Sequence, residues 1–190
     1  TNKAFQVGAY SGETVNISIG SAQSTKIGHV TTSALTISGE QAGNVELGIY
    51  SNLQNETFLV EATDIQYNNS RENSLGTIAD NINKLSNVLG ISANAIVSST
   101  TSLNIAAGKT DGDFAVNGIV IGELNVQAND SDGSLVKAIN QKTSQHGVLA
   151  AVDNKGYLTL TSTDDRAINV VSSANTSAVL RNSEMTTFGY

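Results

Sequence analysis

Phe114-Ala115-Val116-Asn117-Gly118-Ile119-Val120-Ile121 is followed by Asp130-Ser131-Asp132-Gly133-Ser134-Leu135-Val136-Lys137-Ala138-Ile139-Asn140, then Gly147-Val148, then Gly156-Tyr157-Leu158-Thr159-Leu160-Thr161-Ser162. Residues 113–170 read as hairpin, helix, hairpin. Phe114 and Val116, then Ile119 and Ile121, alternate on either side of Asn117-Gly118, a dipeptide that accepts the positive φ of a tight turn. Asp132 is placed to cap a helix running to about Gln145, and Gly147 to end it in the left-handed conformation. Asn154-Lys155-Gly156 signals a turn before the alternating strand from Tyr157 to Thr161. One helix laid on a small antiparallel sheet is the simplest way to bury these apolar positions.

The same pattern occurs once before. Ile78, Ile82, Asn83, Gly90 and Ile91 match Leu135, Ile139, Asn140, Gly147 and Val148 at one constant offset (139 − 82 = 57). Leu103 and Leu160 keep that offset, and Phe58 and Phe114 miss it by one. A duplicated sheet-plus-helix module follows; two copies are too few for a solenoid.

At these residues the chain resembles a known family. The Asn-Gly hairpin, the Asp130-Ser131-Asp132-Gly133-Ser134-Leu135 helix start, Ala138-Ile139-Asn140, Gly147-Val148 and Leu158-Thr159-Leu160-Thr161-Ser162 are similar to the inserted module of bacterial flagellins and some hook-associated proteins. Asn2-Lys3-Ala4-Phe5-Gln6-Val7-Gly8-Ala9-Tyr10, Ile19-Gly20-Ser21 and Lys26-Ile27-Gly28-His29-Val30 resemble the start of the variable region in flagellins that carry two such modules. The resemblance covers nearly the whole chain.

Composition agrees with an outward-facing structural role. Of 190 residues, 14% are charged and 5% aromatic, so much of the surface must be neutral polar. The net charge of −7 leaves no basic stripe to gather phosphates, which argues against nucleic acid. There is no Cys, hence no disulfide and no thiol nucleophile. No signal peptide and no long apolar run is present, so no membrane partner is expected. The resemblance implies export through the flagellar channel, which uses no cleaved signal.

The fold class expected is α+β, rich in β-structure. A β segment is expected over 1–50, with alternation at Phe5, Val7, Ala9 and at Val15, Ile17, Ile19, a polar loop over 21–26, a weaker β-signal over 27–37 and further alternation at Val45, Leu47, Ile49. The first module is expected over 51–110: a strand from Phe58 to Ile65, a possible cap at Ser74, and a helical stripe of Leu75, Ile78, Ile82, Leu85 and Leu89. Asp80, Asn81, Asn83 and Lys84 fall on its wet side, and residues 91–98 and 103–106 are the expected returning strands. The small-residue stretch 107–113 is the expected connector, and the second module takes 111–190, with a loop at 172–177. Residues 186–190 read as cut within a longer protein.

Each constellation that could carry chemistry has a plainer reading. Residues 129–134 look like half a calcium loop, but Asn140 stands near the position where a bidentate Glu is required, and a helix cap explains the acids better. His29 and His146 have no partner ligand at a metal spacing and read as surface or loop residues. No Ser sits in Gly-x-Ser-x-Gly, Asp164-Asp165 reads as a turn, and 108–112 lacks the ending of a phosphate loop. No catalytic, cofactor-binding or metal residue is assigned, and no cofactor is expected. Asn-x-Ser/Thr triplets at Asn16, Asn55, Asn68, Asn129 and Asn175 follow from composition. The resemblance implies instead O-linked acidic sugars, with Ser98, Ser99, Thr100, Thr101, Ser172, Ser173, Thr176 and Ser177 as candidate carriers.

The function these readings imply is structural: the outer region of a flagellin, extracellular, with neighbouring subunits as partners. The resemblance places the polymerising helices outside this stretch, so the isolated fragment is expected to be monomeric. The rival readings are a hook-associated or filament-cap module, and an adhesin or glycan-binding module.

Overall fold

The structure is a computed structural model describing residues 12–20, 30–38, 43–66 and 69–181. The alternation at Phe5 to Ala9, the 21–26 loop, His29 and the closing residues 186–190 lie outside the described residues.

Strands β1 (Gly12–Gly20) and β2 (Val30–Ser38) pair antiparallel, Gly12 opposite Ser38 and Gly20 opposite Val30. Next come β3 (Gly43–Val45), β4 (Gly48–Ser51), β5 (Glu56–Leu59) and β6 (Thr63–Ile65). The β4–β5 hairpin is nested inside a β3–β6 ladder. Helices α1 (Leu75–Asn83) and α2 (Ser86–Leu89) lead to β7 (Ile91–Ile96), which pairs with β1 to give the order β2-β1-β7.

After β8 (Ser98–Thr100) the plan repeats. Strands β9 (Gly108–Lys109), β10 (Ala115–Val116), β11 (Ile119–Val120) and β12 (Asn125–Val126) again nest a hairpin inside a ladder. Helices α3 (Ser134–Asn140) and α4 (Thr143–His146) lead to β13 (Val148–Val152) and β14 (Leu158–Ser162), joined by β8 in the order β13-β14-β8. Strand β15 (Val170–Val171) pairs with β10, and α5 (Ala174–Leu180) closes the described chain. The class is α+β, with small antiparallel sheets and short helices.

The duplication is real in space. Helix α1 packs on β7 as α3 packs on β13, and Ile82 and Ile139 are both fully buried. Each such side chain contributes about 2 kcal/mol through burial. Gly90 and Gly147 end the second helices at φ 63° and 71°, their N–H groups donating to Ser86 O and Thr143 O. An L side chain resists that conformation, which is why glycine recurs there.

The strand that backs each module has a different origin. Ser162 of β14 lies opposite Val148, and the equivalent partner of Ile91 is Ile19 of β1. The first module therefore takes its second strand from earlier in the chain. Residues 103–106 form no strand, and Leu103 is 45% exposed where Leu160 is buried. Residues 98–100 pair instead with β14, so the segment expected to close the first sheet edges the second. Pairing thus crosses both 50/51 and 110/111. Buried residues of both modules, from Val45 to Leu180, form one continuous core.

Three further expectations are corrected. Each single helix is two, broken at Lys84-Leu85 and at Gln141-Lys142 just after the repeated asparagines. Asn81 and Asn83 are not on a wet face: Asn81 is buried and donates to Glu61 O and Thr63 Oγ1, while Asn83 pairs with Ala93. The 172–177 loop is largely helix α5. The Asp111 carboxylate accepts from Thr176 N at 2.9 Å and Asn175 Nδ2 at 2.7 Å, anchoring the first turn, and Val179 and Leu180 seal the other end in the core.

Candidate functional site

The helix start that resembled a calcium loop is built around Asp130. Its carboxylate is buried and accepts from Leu135 N at 2.8 Å and Val136 N at 3.0 Å, meeting the orphan donors of α3. The expected cap, Asp132, makes only a local contact to Ser134 N at 3.2 Å. Asp130 wins because the chain turns through positive φ at Asn129, Asp130 and Gly133, which folds its side chain back over the helix end. Its oxygens are occupied by N–H donors. Among the described residues, no three His, Cys, Asp or Glu side chains lie together in a way that could hold a metal ion.

His146 is a core residue rather than a surface one. Its Nε2 lies 3.0 Å from Ile139 O, and its Nδ1 lies 3.1 Å from the Val148 N–H. That pair of partners fits the neutral ring protonated on Nε2: an acceptor faces one nitrogen and a donor the other. Burial holds its pKa below the usual value, and the positive charges of Arg166 and Lys142 push the same way. Imidazole used as this kind of strut is not available as a base.

Charge gathers where the two modules meet. Arg166 holds Asp164 through Nε at 2.8 and 2.9 Å and reaches Asn69 Oδ1 at 3.0 Å. Arg71 pairs with Asp80 at 2.7 Å. The guanidinium of Arg166 keeps the Asp164 carboxyl below its usual range, whereas desolvation raises Asp165. The Asp164-Asp165 turn is present, with Asp165 at φ 63°. An open depression of about 520 Å³, lined by Leu103, Ala174, Ser177, Ala178 and Arg181, offers one cation and one hydroxyl. Neither place joins an acid, a base and a nucleophile.

The eight candidate carriers divide sharply. Thr101 and Thr176 are buried: Thr101 donates to Leu103 O and accepts from Leu158 N, and Thr176 Oγ1 accepts from Asp111 N. Neither hydroxyl can carry a sugar in the folded chain. Ser98, Ser99, Ser172 and Ser177 are half-buried, and Thr100 and Ser173 are exposed. What sequence reasoning left without a role is the repeated asparagine. Asn83 Nδ2 donates to Ala93 O at 2.9 Å and Oδ1 accepts from Ala93 N at 2.7 Å; Asn140 does the same with Ala150 at the same two distances. The signal was present in its recurrence at the constant offset.

Residues 102–164 match the family model described as the flagellin hook IN motif. Over 176 residues the chain is 43% identical to flagellin A of Helicobacter felis, covering 90% of this chain and 33% of that protein. It is 38% identical over 178 residues to flagellin B of Helicobacter pylori strain J99, covering 90% and 34%. The chain is similar to one stretch of the flagellins. Flagellin A of Helicobacter pylori strain 26695 is similar to the same extent, 38% over 174 residues, with 90% and 33% covered. The chain spans about a third of the length of the flagellins it matches. The matched motif holds the β10–β11 hairpin, α3, α4, β13 and β14, including the Asn140–Ala150 pair. Residues 43–96 of this chain repeat its hairpin, helices, asparagine pair and first strand.

Proposed function

We propose that this chain is the solvent-facing variable region of a flagellar filament subunit, a structural element and not an enzyme. The observation that carries this is similarity along 90% of the chain to proteins named flagellin A and flagellin B. The surroundings of the titratable groups support it: His146, Asp130 and Arg166 each hold backbone or side-chain partners of the fold. Strand pairing across 50/51 and 110/111 supports treating the two modules as one merged outer body. Its partners are neighbouring subunits, its location is the extracellular filament, and its export follows the flagellar route. Thr100 and Ser173 are the candidate positions with the exposure an O-linked sugar requires.

This region has no cysteine of its own, so a thiol introduced in it is read from its own peptide. Val88→Cys and Lys155→Cys, at exposed positions, are introduced into the full-length gene product. Both should react with a bulky maleimide on assembled filaments as fast as on monomers. Protection of both in the filament would overturn the outward placement.

A further inference from the structure

We propose that Asn117 is a modification site gated by folding, which deamidates in the open chain and is held inert in the closed one. Asn117-Gly118 is the one Asn-Gly in the sequence. Glycine after asparagine leaves the following backbone nitrogen unhindered, because it has no side chain. In the reaction the Gly118 nitrogen attacks Asn117 Cγ and a new N–C bond closes a five-membered imide. The Cγ–Nδ2 bond breaks, and Nδ2 leaves as ammonia with the proton given up by the Gly118 nitrogen. Water then opens either imide carbonyl, giving an aspartyl or an isoaspartyl residue at 117. No oxidant, metal or enzyme enters.

The fold opposes each requirement of this chemistry. Asn117 is 7% exposed. Its Nδ2 donates to His146 O at 2.7 Å, and its Oδ1 accepts from Asn169 N at 2.7 Å. Its own N–H donates to Asn169 O at 2.7 Å. The side chain is thus pinned between α4 and the stretch before β15, and its carboxamide cannot swing onto the Gly118 nitrogen without losing both bonds. The backbone is pinned as well, with φ 48° at Asn117 and 77° at Gly118 in a two-residue turn between β10 and β11.

The modification is also one-way for the fold. Conversion replaces the Nδ2 donor by a carboxylate oxygen facing the His146 carbonyl, so an attraction becomes a repulsion. The isoaspartyl product adds a backbone carbon to a turn that has room for two residues. A converted chain cannot close the β10–β11 hairpin against β15 as the unmodified one does. Asn117 therefore records time spent unfolded.

The test is peptide mapping of the full-length protein, incubated at mildly alkaline pH in native buffer and in unfolding urea. The tryptic peptide of residues 110–137 is sequenced by mass spectrometry to place the change at 117. Conversion should be at least about tenfold slower in native buffer, since an opening that costs 1.4 kcal/mol already gives that factor. Equal rates in the two conditions would overturn the gating. Chains converted in urea and returned to native buffer should unfold at lower urea than unconverted ones; identical midpoints would overturn the one-way claim.

Discussion

The carboxamide of Asn140 meets the peptide of Ala150 with both of its atoms, Nδ2 at 2.9 Å from the carbonyl oxygen and Oδ1 at 2.7 Å from the nitrogen. Asn83 makes the identical pair with Ala93. In each module a helix end is stitched to the strand that follows it, by a side chain that imitates a neighbouring strand's backbone. Asn140→Ala should cost about 2 kcal/mol, two hydrogen bonds lost and backbone groups left half-buried without partners. Asn83→Ala should cost a similar amount, while Asn154→Ala, in an exposed turn, should stay within about 0.5 kcal/mol. Urea unfolding of the variants measures all three.

The buried imidazole predicts a pH dependence with a definite sign. The folded pKa of His146 lies below its ordinary 6.5, so the unfolded chain binds a proton that the folded chain refuses. Stability is full above pH 6.5 and falls as the pH drops below it. Lower still, Asp164, whose carboxyl is held below its ordinary 3.8 by Arg166, adds a second loss in the same direction. Thermal melts from pH 8 to pH 5 should show the first decline, and His146→Gln should flatten it.

Asp130 caps α3 and Asp132 does not. Asp130→Ala should cost about 1–2 kcal/mol, near the upper end for a lost cap because the group is buried. Asp132→Ala should cost a few tenths. Calorimetric melting separates the two, and equal effects would return the cap to the position the sequence suggested.

Gly147 carries two constraints at once. At φ 71° an alanine is strained, and its Cβ would meet Arg166 Nε at 2.5 Å. Gly147→Ala should destabilise by about 1–3 kcal/mol and disturb the Arg166–Asp164 pair. Exposed Gly118 has open space around its missing Cβ, so Gly118→Ala should show the backbone strain alone, a smaller loss. Denaturant midpoints of the two variants give the comparison.

How far the sequence carried can be seen in single residues. The stripe through Ile78 and Ile82, the turn at Asn117-Gly118 and the stops at Gly90 and Gly147 are local signals, and they were legible because spacing and φ preference fix them. The source of each module's second strand was not, since β1 and β14 reach equivalent places by long-range pairing that no local pattern encodes. Helix α5 was missed for the same reason: Ala174 to Leu180 has weak helix propensity, and Asp111, far back in the chain, supplies its anchor. His146 and Thr176 looked exposed because polar side chains usually are; here each finds backbone partners inside. The carrier set shrank accordingly, burial deciding what composition could not.

On the proposed function, this region decorates a polymer it does not build. Electron cryomicroscopy of filaments from the full-length gene product and from a variant lacking residues 12–181 tests it directly. Both should assemble, and the variant's filament should be thinner by the loss of an outer shell. A variant that forms no filament, or one of unchanged diameter, would contradict it.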